Sequence, residues 1–169
     1  MPEKETLERA RRDKAHGKAP STQAGEFVRE EIHHIREGKH GARSAKQAIA
    51  IGLSKARRSG VKLGTPNSRT SSAETRKKAS QDSARGRSGA RKKTSAKRSR
   101  ATSAALKREG RSAASRSSLS RQAKSTSRAR GSAARKRSAA KAVRTKGPAV
   151  LKRAGQKAAR TRATHSRAA

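Results

Sequence analysis

The sequence predicts a mostly disordered chain: a short N-terminal α-helical hairpin followed by a long low-complexity cationic tail. Three observations carry that reading. Of 169 residues, 47 are Lys or Arg and 11 are Asp or Glu, giving a formal net charge of +36. Only 29% are hydrophobic, and the single aromatic residue is one Phe. There is no Cys. Low hydrophobicity with high net charge is the signature of disorder, because too few large apolar side chains offset the entropy of ordering the backbone. The lack of Cys excludes a disulfide framework and a thiolate metal site.

The charge is uneven. Residues 1–37 hold eight basic and eight acidic groups and are neutral. Residues 1–20 read as a flexible segment, with a short helix over Glu3–Lys14, anchored by Leu7 as its one large apolar residue, as the alternative. Residues 21–63 read as the hairpin. In EFVREEIHHIRE (26–37), Val28, Ile32 and Ile35 recur at i, i+4, i+7, with Phe27 beside them. Gly38 stops that helix. After the loop KHGAR, Ser44 and Gln47 have capping-box spacing. The second helix, 45–59, places Ala45, Ala48, Ile49, Gly52, Leu53 and Ala56 on one face, and Gly60 ends it. So small a hairpin is marginal alone and invites self-association.

Gly60, Gly64, Pro66 and Asn67 mark a boundary, and 64–169 reads as disordered tail. From Asn67 onward lie 32 basic and three acidic residues (Glu74, Asp82, Glu109). The large apolar residues there are Leu106, Leu119, Val143, Val150 and Leu151. The tail echoes itself without a strict period. RGRSGARKK (85–93) resembles RARGSAARKR (128–137), and RSAAS (111–115) resembles RSAAK (137–141). With no large apolar face to stack, these echoes read as low complexity.

The segment KQAIAIGLSKAR (46–57) resembles a K-Q-A-I-A-I-A-L-S-x-A-R helix found in small basic bacterial proteins of uncharacterised function, with Gly52 where Ala is usual. The likeness covers residues 26–63. What it implies about activity is limited to an association with DNA. The tail is similar in composition to those of linker histones and bacterial histone-like nucleoid proteins. It differs in carrying 20 Arg against 12 Lys and one Pro, Pro148.

A polyanion is the expected partner, and the expected function is histone-like: binding DNA by its phosphates with little sequence preference, and compacting or bridging it. Each Lys or Arg on a phosphate releases a condensed counterion. The 103 residues from Asn67 reach about 340 Å when extended, at ~3.3 Å per residue. Their net +29 matches only about 50 Å of duplex, at one charge per ~1.7 Å of axis. That mismatch favours bridging over lining one groove. The candidate contacts begin at the end of the second helix with Lys55, Arg57 and Arg58. Next come Arg76, Lys77, Lys78, Arg85 and Arg87, then Arg91, Lys92, Lys93, Lys97, Arg98 and Arg100. The last are Arg128, Arg130, Arg135, Lys136, Arg137, Lys152 and Arg153. AVLKRAGQKAARTRA (149–163) is rich in helix formers and is expected to gain helix only when phosphate screens its charge.

DNA is favoured over RNA, because stacking on unpaired bases wants aromatic side chains that the tail lacks. An RNA- or ribosome-associated role and a protein-interaction module at the neutral N-terminus are the alternatives. A membrane surface is not expected, for want of a wide apolar face. The start MPEKETLERARR has no apolar centre, so a cytoplasmic, nucleoid location is expected.

Sharper motifs yield less. Glu30–His33 and Glu31–His34 have E-x-x-H spacing, and His40 follows. A di-iron bundle needs such motifs on two helices plus two further Glu, so these residues read as a solvated helix face and no metal is expected. A DNA-reading helix-turn-helix wants a turn of three to four residues, shorter than this loop. RGRSG lacks the phosphate-loop pattern and a preceding strand. The R-S pairs Arg98–Ser99, Arg116–Ser117 and Arg137–Ser138 are too irregular to be more than composition. With no core to hold a site rigid, neither an enzyme nor a cofactor is expected.

Overall fold

Eight α-helices and one 3-10 turn make up all the regular structure among the described residues. They are α1 (Lys4–Ala15), α2 (Pro20–Glu37), α3 (Ala45–Arg58), α4 (Ala73–Ser88) and α5 (Ala96–Arg108), then the turn Ser112–Ala114. They continue as α6 (Arg116–Ala129), α7 (Gly131–Lys146) and α8 (Pro148–Arg167). The structure is a computed structural model describing residues 2–68, 71–89 and 95–167.

The chain is 79% helical. This overturns the expectation of a mostly disordered, low-complexity chain and of a structureless tail over 64–169. Residues 149–163 lie within α8. Three physical terms favour helix along this chain. Ala, Arg and Lys are all strong helix formers. Serines cap their own helices: Ser72 Oγ accepts from Thr75 N and Ser115 Oγ from Ser118 N, each at 3.2 Å. The third term is docking through Ala and Gly.

The chain divides into two compact units, Met1–Ala123 and Lys124–Ala169, with the division inside α6. In the first unit α2 and α3 pack as an antiparallel pair. Ala48 lies with Ile32 and Ile35, while Ala56 lies with Ala24 and Phe27. α2 begins six residues before the expected 26. Its C-cap is Gly38 at φ 80°, a conformation that suits Gly. Ser44 Oγ accepts from Gln47 N, and Gln47 Oε1 accepts from Arg43 N at 2.8 Å. Gly52 permits the crossing, since a Cβ there would lie 2.7 Å from Val28 Cα.

α1 occupies most of the N-terminal segment, over the residues of the short helix weighed for Glu3–Lys14. Leu7 and Ala10 join the Phe27 cluster, and polar contacts hold the rest. Glu3 N donates to Glu30 Oε2 at 3.2 Å, and Arg9 Nε to Glu26 Oε2 at 2.7 Å.

Two parts of the expected tail dock on this hairpin. α4 lies on α3: Ala79 is buried, Gly86 abuts the Arg57 carbonyl, and Ser54 hydrogen-bonds to Asp82. The end of α5 lies on the loop after α2. Gly41 N donates to Leu106 O at 2.8 Å and Ala42 N to Gly110 O at 3.2 Å. The following 3-10 turn buries Ala113 and Ala114 against Ile32, Ile35, Ala42 and Ala48, with Leu119 alongside. Arg36 Nε donates to Ala114 O at 3.0 Å. The two echoed segments therefore differ: RSAAS at 111–115 includes core, whereas RSAAK at 137–141 lies on an exposed helix.

The second unit holds the end of α6 and the helices α7 and α8. Its side chains are mostly exposed, including Val143 and Val150. No helix of the described residues is long and apolar enough to cross a membrane.

Candidate nucleic-acid interface

Residues 124–169 contain 15 Lys and Arg and no Asp or Glu. No carboxylate side chain within this unit can therefore neutralise them. Helix formation arranges the cations by position. Arg137, Lys141 and Arg144 recur at i, i+4, i+7 and line one shallow groove on α7 with Ala140 and Thr145. Arg153, Lys157 and Arg160 repeat that spacing on α8. Such neighbours sit about 5–6 Å apart at Cβ, and each stripe rises about 10 Å along its axis at ~1.5 Å per residue. All six side chains are exposed.

Among the expected contacts in this unit, Arg128, Arg130, Arg135, Lys136, Arg137, Lys152 and Arg153 are all exposed. Arg135 also donates through Nη1 to Ser127 O at 3.1 Å. Arg135, Lys136 and Arg137 stand at successive steps of about 100° around α7, so charge covers several faces of that helix. The reading of the sequence omitted Lys141, Arg144, Lys157 and Arg160. Charge at helical spacing is the signal in the sequence that marks them.

In the first unit Lys77, Arg85 and Arg87 on α4 and Lys97, Arg98 and Arg100 on α5 are exposed, and Arg76 is half-buried. Lys78 pairs with Glu74 at 2.7 Å, which holds the Glu74 carboxyl below its usual value. Arg58 is shared between Ser54 O at 3.3 Å and Asp82 Oδ1 at 3.7 Å. Arg91, Lys92 and Lys93 lie outside the described residues.

The structure turns Lys55 and Arg57 inward. Lys55 Nζ lies 2.7 Å from Glu31 Oε2 and 3.4 Å from Glu30 Oε1. Both carboxylates are buried, which corrects the expected solvated face. Arg57 is 8% exposed. Its Nη2 donates to Gly64 O at 3.4 Å, and burial pushes its guanidinium below its ordinary value, opposed by Asp82. Neither residue presents its charge to a phosphate from this position.

Residues 11–69, roughly a third of the chain, match a family model described as a family of unknown function (DUF6496). No curated protein matches the chain. No solved structure matches it either.

Proposed function

We propose that this chain is a histone-like DNA-binding protein whose preformed cationic helices hold the phosphate backbone with little sequence preference. The observation that carries this reading is the second unit: fifteen basic residues, no acidic ones, and described basic side chains that face solvent. Its charge matches about 25 Å of duplex at one phosphate charge per ~1.7 Å. A rod-like polyanion engages one face of a helix, and α7 carries cations on several. A second duplex on another face gives bridging, and bridging gives compaction. Duplex is favoured over single strands because Phe27, the sole aromatic residue, is fully buried and offers no stacking platform.

The test is a titration of a labelled duplex of about 30 base pairs over a salt series, with single-stranded RNA as competitor. The full chain is compared with a variant carrying Gln at 137, 141, 144, 153, 157 and 160. Each lost phosphate contact reduces the log–log salt slope by about 0.9. A slope shallower by about 5, with RNA competing poorly, supports the reading. An unchanged slope removes both stripes from the interface, and efficient RNA competition favours a single-strand binder.

A further inference from the structure

We infer that Glu31, His34 and His40 form a binding site for a divalent transition-metal ion of the zinc or cobalt kind. One ligand atom from each of the three lies within 4.8 Å of the others. Glu31 comes from the middle of α2, His34 from one turn later, and His40 from the loop that folds back beyond Gly38. Neither His33 nor the E-x-x-H pair Glu30–His33 takes part. His33 points instead to Glu37, 2.9 Å away.

A second observation points to a ligand. Glu31 is fully buried, and neither carboxylate oxygen accepts an aligned hydrogen bond. Lys55 Nζ and His40 Nε2 approach those oxygens at 2.7 and 3.2 Å, close in distance but off the hydrogen-bond direction. A buried carboxylate without its hydrogen bonds is costly, and a cation between Glu31 Oε1 and His40 Nε2 would satisfy both atoms.

The imidazoles are arranged as metal-binding histidines are, each giving its other ring N–H to an oxygen. His40 Nδ1 lies 3.1 Å from Gly41 O, a carbonyl that only accepts. In the neutral ring, Nε2 then carries the lone pair and faces the Glu31 carboxylate. His34 Nε2 lies 2.8 Å from Glu3 Oε1, which leaves Nδ1 as its lone-pair nitrogen. Two imidazoles and one carboxylate are a ligand set for zinc with a fourth position open. The local charge also suits a dication, although the whole chain at +36 repels one. Glu30 and Glu31 outnumber Lys55 in the buried trio. His34 also lines a surface depression with Glu3, Glu30 and Lys39.

The test uses the full chain and the metal alone. Cobalt(II) is titrated in and followed by its visible bands, then displaced with zinc(II). Ring resonances of all five histidines are recorded on the unaltered protein. The expected result is one equivalent bound, with His34 and His40 perturbed and His16, His33 and His165 unchanged. His40→Gln abolishes that equivalent, His33→Gln retains it, and Glu3→Gln weakens it on the order of tenfold, as loss of an outer carboxylate does. Helix content is checked by circular dichroism, and the histidine resonances decide the matter if His40→Gln unfolds. Absence of a saturable equivalent overturns the site, as does perturbation of His16, His33 or His165 in place of His34 and His40.

Discussion

Gly86 of α4 rests against the main-chain carbonyl of Arg57 in α3, so close that a Cβ at position 86 would collide with that oxygen. This contact seats the first helix of the cationic half on the hairpin. Gly86→Ala forces the two backbones apart and is expected to cost about 1–3 kcal/mol, as overpacking does. Hydrogen exchange should show α4 losing protection before α2. Gly155→Ala is the control. Nothing lies within 4 Å of a Cβ there, so it should raise helix content in α8 by removing a cost of about 0.5–1 kcal/mol.

The buried charge trio makes a second prediction. Lys55→Met leaves Glu30 and Glu31 without their cation, and breaking such a pair costs about 3–5 kcal/mol. Glu31→Gln in the same background should recover part of the loss. A double-mutant cycle by urea denaturation measures the coupling, and additive effects would show that Lys55 contributes packing alone.

Phe27 and Ile35 are both fully buried in a core otherwise built largely from Ala. Phe27→Ala is expected to cost about 3–5 kcal/mol. So small a core has little reserve, and thermal scans should show the first unit unfolded near room temperature. Ala114→Leu tests the docked turn from the opposite direction. It overfills a site with no exposed surface and should cost about 1–3 kcal/mol.

The latch between the N-terminus and α2 is pH-dependent. The Glu3 carboxyl is held below its ordinary 4.5 by hydrogen bonds from His34 and then Lys39. Glu37 is held down by Lys39 and then His33. Lys39 is raised above 10.5 by Glu37 and then Glu3. The carboxylate contribution is fully present above pH 4.5 and lost as pH falls through the depressed values. The Lys39 contribution is fully present below pH 10.5 and lost as pH rises through its raised value. The protection of α1 amides relative to their intrinsic exchange should therefore fall below pH 4.5, and Glu3→Gln should flatten that dependence.

Large apolar residues at helical spacing made α2 and α3 legible in the sequence, and Ser44 with Gln47 marked where α3 begins. The rest was obscured for a physical reason. A count of large apolar side chains does not register Ala113, Ala114, Ala79 or Gly86, whose value is that they let backbones approach closely. It also gives α1 only Leu7, whereas Ala10 and the Arg9–Glu26 and Glu3–Glu30 hydrogen bonds add to its anchoring. The cationic residues were legible as composition, but their stripes appear only once α7 and α8 are helices. Lys55 and Arg57 read as surface cations because nothing in their spacing reveals the carboxylates and carbonyl that draw them inward. Likewise His40 joins Glu31 and His34 only through the fold of the loop after Gly38.

In this reading the cationic helices exist before any polyanion arrives. The direct measurement is far-ultraviolet circular dichroism of the full chain in dilute buffer, alone and at saturation with a short duplex. Helix content near 79% is expected in both, with little change on binding. A chain that is largely coil alone and gains helix on adding duplex would contradict it and restore folding on binding.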